Sequence, residues 1–376
     1  DKPEPCEADT CPCNEYINFA DTKTYKIKIE NNNTSVLNKQ LNKAETEERK
    51  IILQSKPISL MCILTRRCNL ECIMCPRVKG SPVTLPFEFA KKIISLVPYL
   101  RILKWQGGEV FLLDYFKNLF IDIAEYAHIT QEITTNGLLI NKDWAEIFSK
   151  SKVTLLYSID GVIRETYENI RRNGKFKDLL RSLDFVNRAR RGARDDNVRL
   201  EMHVVVMRCN YQEITLFPDF CRKHDIKILA LNVLWPKIIP EQDIFMRPEE
   251  YIMNYLSQVI PEIEDRCKKY NIRLDCNLKP YIENFYISKN RFERTNSSAN
   301  IETCSKLECI SPWSNLHVEP DGYVKPECKC EKNIGYLAHD SLERIWNSEA
   351  MQSYRNFIRL GHADKICSRQ CSFLKA

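Results

Sequence analysis

From residue 58 onward, short apolar runs alternate with longer segments whose apolar residues recur every three or four positions. "ISLMCIL", "RILKWQ", "QEITT", "VTLLYSID", "VRLEMHVVVM" and "IKILALNVL" have the length and apolar character of strands. Between them, "LPFEFAKKIISLV", "YFKNLFIDIAEYA", "NKDWAEIFSK", "KDLLRSLDFVNRARR" and "TLFPDFCRKH" have helical spacing. A helix after each strand predicts a parallel sheet, because parallel neighbours need a crossover to return the chain. Six such units in about 180 residues predict an α/β fold, a partial (β/α)6 TIM-like barrel rather than a closed eight-unit one.

The flanks read differently. "TYKIKIE" alternates like a strand, "NNN" reads as a turn, and the polar stretch 35–55 predicts an exposed helix. "PEEYIMNYLSQVIPEIEDRCKKY" predicts a long helix, and the polar residues 288–303 a loop. "NLHVEPDGYVKPE" is two short strands around Asp321–Gly322, a hairpin signal. "SLERIWNSEAMQSYRNFIRLG" predicts one helix, with Ser341 as N-cap and Gly361 near its end. The expected organisation is an N-terminal extension at 1–55, the barrel at 56–240, a helical and loop connection at 241–303, and a small cysteine-rich α+β module at 304–376.

Composition narrows the class. An apolar fraction of 44% suits a packed globular chain of 376 residues. The net charge of +6 is spread along the chain, with the Arg-rich run Arg188 to Arg194 read as a solvated helix end, and does not argue for nucleic acid. No apolar run approaches 18 residues, and the start "DKPEPCEADTCPC" has no signal-peptide h-region. That start also lacks Met, which leaves a processed or internal beginning open. Seventeen cysteines, an odd number in a long chain with no export signal, fit a reducing cytoplasm with metal-bound thiolates better than a disulfide scaffold. Cys62, Cys209, Cys221, Cys267 and Cys276 are scattered and read as small buried hydrophobes. Cys6, Cys11 and Cys13 have no visible fourth partner and read as thiols of the leader or ligands to a distant site.

"TRRCNLECIMCPR" follows the first strand, at the sheet edge where α/β folds build their sites. Its Cys68, Cys72 and Cys75 are spaced C-x3-C-x2-C. Three thiolates on one loop can hold three irons of a cubane and leave the fourth iron open to a small molecule, whereas electron-transfer clusters take four cysteines. Zinc is the alternative, but its cysteines usually come as C-x2-C with a second pair elsewhere.

On "CNLECIMC" and the stretches that follow in order, the chain resembles the radical SAM superfamily over roughly residues 56–235. The resemblance implies that the open iron binds S-adenosylmethionine. An electron from the 4Fe–4S cluster then breaks its C–S bond, and the 5′-deoxyadenosyl radical takes a hydrogen atom from substrate. "QGGE" looks like the family's GGE motif, so Gly107, Gly108 and Glu109 are expected near the methionyl amino group. Thr135 and Asn136 of "TTNG", and Ser158 and Asp160 of "SIDG", are expected to bond a ribose or carboxylate, or else to cap a helix. In "ETYENIRRNGKF", Arg171 is expected either to reach the cofactor carboxylate or to be solvated. Met207, Asn210, Trp105 and Trp235 are pocket candidates that fit equally well as core.

The C-terminal module resembles the SPASM/twitch extension of the same enzymes, which carries auxiliary 4Fe–4S clusters. The likeness rests on the hairpin between Cys309 and Cys328, the "SLERIW" helix and the closing "CSRQC". The implied ligands of one auxiliary cluster are Cys309, Cys328, Cys367 and Cys371, with Cys330 a substitute for Cys328 and Cys304 a spare. A zinc ribbon is the alternative.

The resulting expectation is a radical SAM oxidoreductase or maturase. It would act on a sugar or other small molecule, or on a peptide, with oxidation, rearrangement or cross-linking as the outcome. An external electron donor such as flavodoxin or ferredoxin is implied. Residues 1–55 offer too little structure for a leader-peptide-binding domain, which weakens the peptide case. The competing class, a non-catalytic iron–sulfur carrier or zinc scaffold, has no use for "QGGE", "TTNG" and "SIDG" at successive strand ends. A nucleic-acid modifier lacks an aromatic and basic platform.

Overall fold

The computed structural model describes residues 24–76, 82–191, 197–234, 239–293, 309–362 and 366–367. All six expected strands form: β1 (Ser59–Thr65), β2 (Ile102–Gly107), β3 (Thr130–Thr135), β4 (Val153–Ser158), β5 (Val198–Val206) and β6 (Ile228–Val233). They pair in parallel in chain order, as crossover helices require. The helices include α2 (Phe87–Lys91), α3 (Phe116–Ala124), α4 (Lys142–Ser149), α5 (Arg164–Ile170), α6 (Phe176–Arg190) and α7 (Phe217–Lys223). Their apolar faces bury one side of the sheet, where Trp105, Phe116, Phe120, Trp144 and Phe148 stack. Trp105 is therefore core, its indole donating to Gln131 Oε1 at 2.9 Å, and Trp235 lies outside the described residues.

Two further parallel strands extend the sheet. β7 (Arg273–Cys276) adds to β6, and β8 (Asn315–Val318) adds to the other side of β1, in register from Ser59↔Asn315 to Cys62↔Val318. The antiparallel β9 (Tyr323–Lys325) and β10 (Gly335–Tyr336) complete the order β10-β9-β8-β1-β2-β3-β4-β5-β6-β7. The hairpin of the cysteine-rich segment is thus continuous with the barrel sheet. "RLDC" escapes a pattern reading because it is four residues long and half polar.

The N-terminal expectation is corrected. "TYKIKIE" is the start of a helix, α1 (Thr24–Glu47), not a strand. Its later turns are not simply exposed: Ser35, Asn38, Asn42 and Glu45 form a buried polar stripe at helical spacing. Asn38 exchanges bonds with Lys56 and donates to Tyr99 O, Asn42 Nδ2 donates to Trp313 O, and Glu45 accepts from the amides of Gln54 and Ser55. The helix docks through hydrogen bonds, which a hydrophobic pattern cannot reveal.

α8 (Glu250–Lys269) is the long helix expected, and α9 (Lys279–Glu293) carries helix into the stretch read as loop from residue 288; residues 294–308 lie outside the described ones. After the one-turn α10 (Ser311–Ser314), the single helix expected after Ser341 is two, α11 (Leu342–Trp346) and α12 (Glu349–Arg359). Ser341 caps the first, as expected, and Ser348 Oγ accepts from the Met351 amide to start the second. Arg355 of α12 is fully buried and donates to Pro312 O, Ile51 O, Asn347 Oδ1 and Trp346 O. Of the scattered cysteines, Cys62, Cys221 and Cys267 are buried as expected, Cys276 is half-buried and Cys209 is exposed.

Candidate functional site

β1 delivers the chain to the sheet edge at Thr65, whose hydroxyl accepts from the Arg67 amide at 3.0 Å and starts the turn into the cysteine loop. The loop is fixed on both sides. The amides of Glu71 and Ile73 donate to the carbonyls of Arg172 and Ile170, at 3.1 and 3.0 Å. Asn136 Nδ2 donates to Asn69 Oδ1 at 2.8 Å and lies 3.8 Å from Cys68 Sγ. Cys68 is exposed, Cys75 half-buried and Cys72 buried. Burial pushes the Cys72 thiol up to about 11; the charge of Arg171 pulls it down, and those of Cys75 and Cys68 push it up. The three sulfurs therefore share one electrostatic environment.

The two glycines of "QGGE" have a steric reason in this frame. Gly107 has φ +144°, and a Cβ there would meet the Thr65 carbonyl oxygen at 2.4 Å. A Cβ on Gly108 would fall 1.8 Å from the Arg67 carbonyl oxygen. The amides of Gly108 and Glu109 donate to those same carbonyls, Thr65 at 2.6 Å and Arg67 at 2.8 Å. The end of β2 is thus a backbone seat for the cysteine loop.

Glu109 is fully buried and joins this seat to the next strand end. Its carboxylate accepts from Thr135 Oγ1 at 3.0 and 2.9 Å and from the Asn136 amide at 2.9 Å. Burial pushes its carboxyl up to about 7, with the bonds from Asn136 and Thr135 pulling the other way. Neither Thr135 nor Asn136 caps a helix; Asn141 caps α4 instead.

Asp160 and Arg171 form a buried ion pair, Oδ2 to Nη2 at 2.6 Å. Asp160 Oδ1 accepts from the Val205 amide at 2.8 Å, and Asn210 Nδ2 donates to the Asp160 carbonyl at 2.7 Å. Asn210 is accordingly a buried brace of this turn, and Met207 is buried beside it. Arg171 Nη1 lies 3.7 Å from Cys72 Sγ. Its Nε is buried with no hydrogen-bond partner among the described residues.

Ser158 is half-buried and belongs to a set that pattern reading missed. It stands beside His203 in the β4–β5 register. On the sheet face away from the helix-packed core, Lys104 pairs with Glu132 at 3.4 Å, and His203 Nε2 with Glu201 Oε2 at 3.1 Å. The signal was present: "LKWQ", "QEIT" and "LEMHVVV" alternate, whereas parallel strands buried on both faces read as continuous apolar runs. One face of this sheet is polar.

In the C-terminal segment Cys309 is buried, Cys330 and Cys367 are half-buried and Cys328 is exposed. Burial pushes Cys330 up to about 12, reinforced by the charges of Cys309 and Cys367. Although Cys328 as a residue is exposed, its thiol is pushed up to about 12, by partial burial of the sulfur and by the charge of Glu327. The structure thus groups Cys330 with Cys309 and Cys367; Cys371 and Cys304 lie outside the described residues, as do Cys6, Cys11 and Cys13. Among the described residues no three His, Cys, Asp or Glu side chains converge as a single-ion site.

The family model of the radical SAM superfamily matches residues 62–193, and that of the SPASM iron-sulfur cluster-binding domain matches residues 309–372. The chain belongs to the radical SAM superfamily. It is a radical SAM enzyme with a SPASM domain. It is 23% identical over 336 residues to the cysteine-type anaerobic sulfatase-maturating enzyme of Clostridium novyi, covering 81% of this chain and 82% of that protein. It is 29% identical over 191 residues to a GTP 3′,8-cyclase of Desulforamulus reducens, covering 47% of this chain and 54% of that enzyme. In fold it resembles Streptococcus suis SuiB bound to the precursor peptide SuiA, with a TM-score of 0.59 at 17% identity over 85% of this chain and 70% of that one.

A radical SAM protein carries 4Fe–4S clusters and S-adenosylmethionine, and the residues present fit both. Three thiols on one loop suit a cluster with one open iron. The buried Nε–H of Arg171 near Cys72, without a hydrogen-bond partner among the described residues, suits an anionic acceptor. The Gly107–Gly108 seat admits backbone where side chains would collide. Among the described residues no helix is long and apolar enough to cross a membrane.

Proposed function

We propose that this radical SAM enzyme modifies a peptide. A cluster on Cys68, Cys72 and Cys75 supplies the electron that cleaves S-adenosylmethionine, and the 5′-deoxyadenosyl radical released takes a hydrogen atom from substrate. Gly107 and Gly108 let the β2 edge seat the cysteine loop, and Glu109 holds the Thr135–Asn136 turn beside it. Ser158, half-buried at the end of β4, is the group offered to the cofactor from the open face.

The observation that carries the peptide reading is the polar face of the sheet. Lys104 of β2 is matched by Glu132 of β3, and His203 by Glu201 two residues earlier on β5, so this face presents both donors and acceptors. A peptide backbone offers both kinds of group along its length. The fold shared with a maturase seen with its precursor peptide supports this. A nucleotide triphosphate is the second reading, favoured by the GTP 3′,8-cyclase relative. It would need cations left over for phosphates, and Lys104 is already paired. A flavodoxin or ferredoxin as electron donor and a cytoplasmic setting complete the proposal. For the auxiliary cluster we assign Cys309, Cys330 and Cys367, with Cys371 as the fourth ligand and Cys328 outside the set.

The test is hydrogen provenance. The reconstituted enzyme is given a library of uniformly deuterated peptides containing Cys and Ser, or deuterated GTP. Deuterium entering 5′-deoxyadenosine from the peptides supports the proposal. Transfer from GTP and from no peptide overturns it.

A further inference from the structure

Arg171 occupies an unusual position for a long, charged side chain. Its two neighbours in sequence, Ile170 and Arg172, each accept a backbone hydrogen bond from the cysteine loop, so the loop and the root of Arg171 are held in one frame. Its head is fixed as well. Nη2 lies 2.6 Å from Asp160 Oδ2, and Nη1 lies 3.7 Å from Cys72 Sγ. Both side chains of the ion pair are buried, at 7% and 0% exposure. Asp160 is itself anchored by the Val205 amide through Oδ1 and by Asn210 through its carbonyl. The approach of the guanidinium to the sulfur is therefore imposed from both ends.

We propose that Arg171 is a positioning residue that raises the reduction potential of the cluster held by Cys68, Cys72 and Cys75, with Asp160 limiting the effect. The inference rests on the reading of those three cysteines as cluster ligands. Adding an electron to the cluster adds one negative charge. A nearby fixed cation favours that form, and burial leaves the interaction unscreened by salt. A hydrogen bond to a ligand sulfur acts in the same direction, and such bonds are among the levers by which a protein sets a cluster's potential. Asp160 offsets part of the cation's charge. The pair thus has two opposed handles: removing the cation makes reduction harder, and neutralising the carboxylate makes it easier.

The experiment is a redox titration followed by electron paramagnetic resonance, on the reconstituted full chain without S-adenosylmethionine, with iron counted in each variant. In Arg171→Met the reduced-to-oxidised ratio at the wild-type midpoint should fall about tenfold, equivalent to 59 mV for one electron. In Asp160→Asn, whose amide oxygen can keep the bond from Val205, the midpoint should move the other way. Arg171→Lys keeps the charge and should stay nearer the wild type than Arg171→Met does. A role confined to holding the fold would move both the Met and the Asn variants in the same direction or neither, and that result overturns the proposal. If Arg171→Met fails to hold iron, Asp160→Asn decides alone: a positive shift supports the proposal and an unchanged midpoint overturns it. The midpoint is read from the signal component that the Cys68/Cys72/Cys75 triple alanine variant lacks, since the auxiliary cluster still contributes there; if that variant loses no component, the ligand reading itself is overturned, and the proposal with it.

Discussion

The Gly108 amide donates to the Thr65 carbonyl at 2.6 Å, which presses the end of β2 against the first turn of the cysteine loop. This contact is why the glycine pair and the cysteines belong to one device. A Cβ on Gly108 would overlap the Arg67 carbonyl, and backbone on both sides leaves it no room to yield. Gly108→Ala should therefore displace the loop, at a cost of about 1–3 kcal/mol from overpacking. The expected outcome is a protein that still folds, with iron content reduced toward that of the auxiliary cluster alone. Full iron in Gly108→Ala would contradict the seat.

Glu109 makes a pH prediction. Burial raises its carboxyl from the ordinary 4.5 to about 7, so the folded chain binds this proton more tightly than the unfolded chain. Stability contributed by the protonated group is present below the unfolded value and is lost as pH rises toward the folded one. The loss across that window is roughly 3 kcal/mol if nothing else titrates with it. Chemical denaturation of the wild type between pH 4.5 and 7 should show this decline. Glu109→Gln, which cannot ionise, should show a flatter profile, and identical slopes would refute the assignment.

The C-terminal cysteines separate by substitution. Cys330→Ala should lower iron by about one cluster's worth, because its sulfur shares an environment with Cys309 and Cys367. Cys328→Ala should leave iron unchanged. The reverse pattern would restore the ligand set expected from the hairpin spacing.

Arg355 carries a stability prediction independent of any cofactor. It lies against the Trp346 ring, 4.7 Å from its centroid, and satisfies carbonyls of the segment before β1, of the turn before β8 and of α11. Arg355→Ala leaves these buried acceptors without a donor and should cost roughly 3 kcal/mol or more. A fall in Tm of the metal-free protein checks it; an unchanged Tm would mean water replaces the guanidinium freely.

These residues also show what the chain discloses in its pattern and what it does not. The six core strands were legible because each is a short apolar or alternating run bounded by helical spacing, and "CNLECIMC", "QGGE" and "SIDG" fall at their ends. The docking of α1 was not, because Asn38, Asn42 and Glu45 bury hydrogen bonds rather than hydrocarbon. The parallel pairing of β8 with β1 joins residues about 250 apart, a relation no local signal carries. Cys330 was a substitute in the sequence because spacing alone cannot say which of two neighbouring thiols turns toward Cys309 and Cys367. The charged face of Lys104, Glu132, Glu201 and His203 was visible as alternation but had no site to attach to until the strand register aligned it with Ser158.

The central claim is that the loop thiols of Cys68, Cys72 and Cys75 hold a cluster that cleaves S-adenosylmethionine. The direct measurement is anaerobic: reconstitute with iron and sulfide, reduce, add S-adenosylmethionine, and quantify 5′-deoxyadenosine in the wild type and in the triple alanine variant. Product in the wild type and none in the variant, with the auxiliary iron retained, is the predicted result. Equal product from both would contradict the claim and move the reactive centre away from this loop.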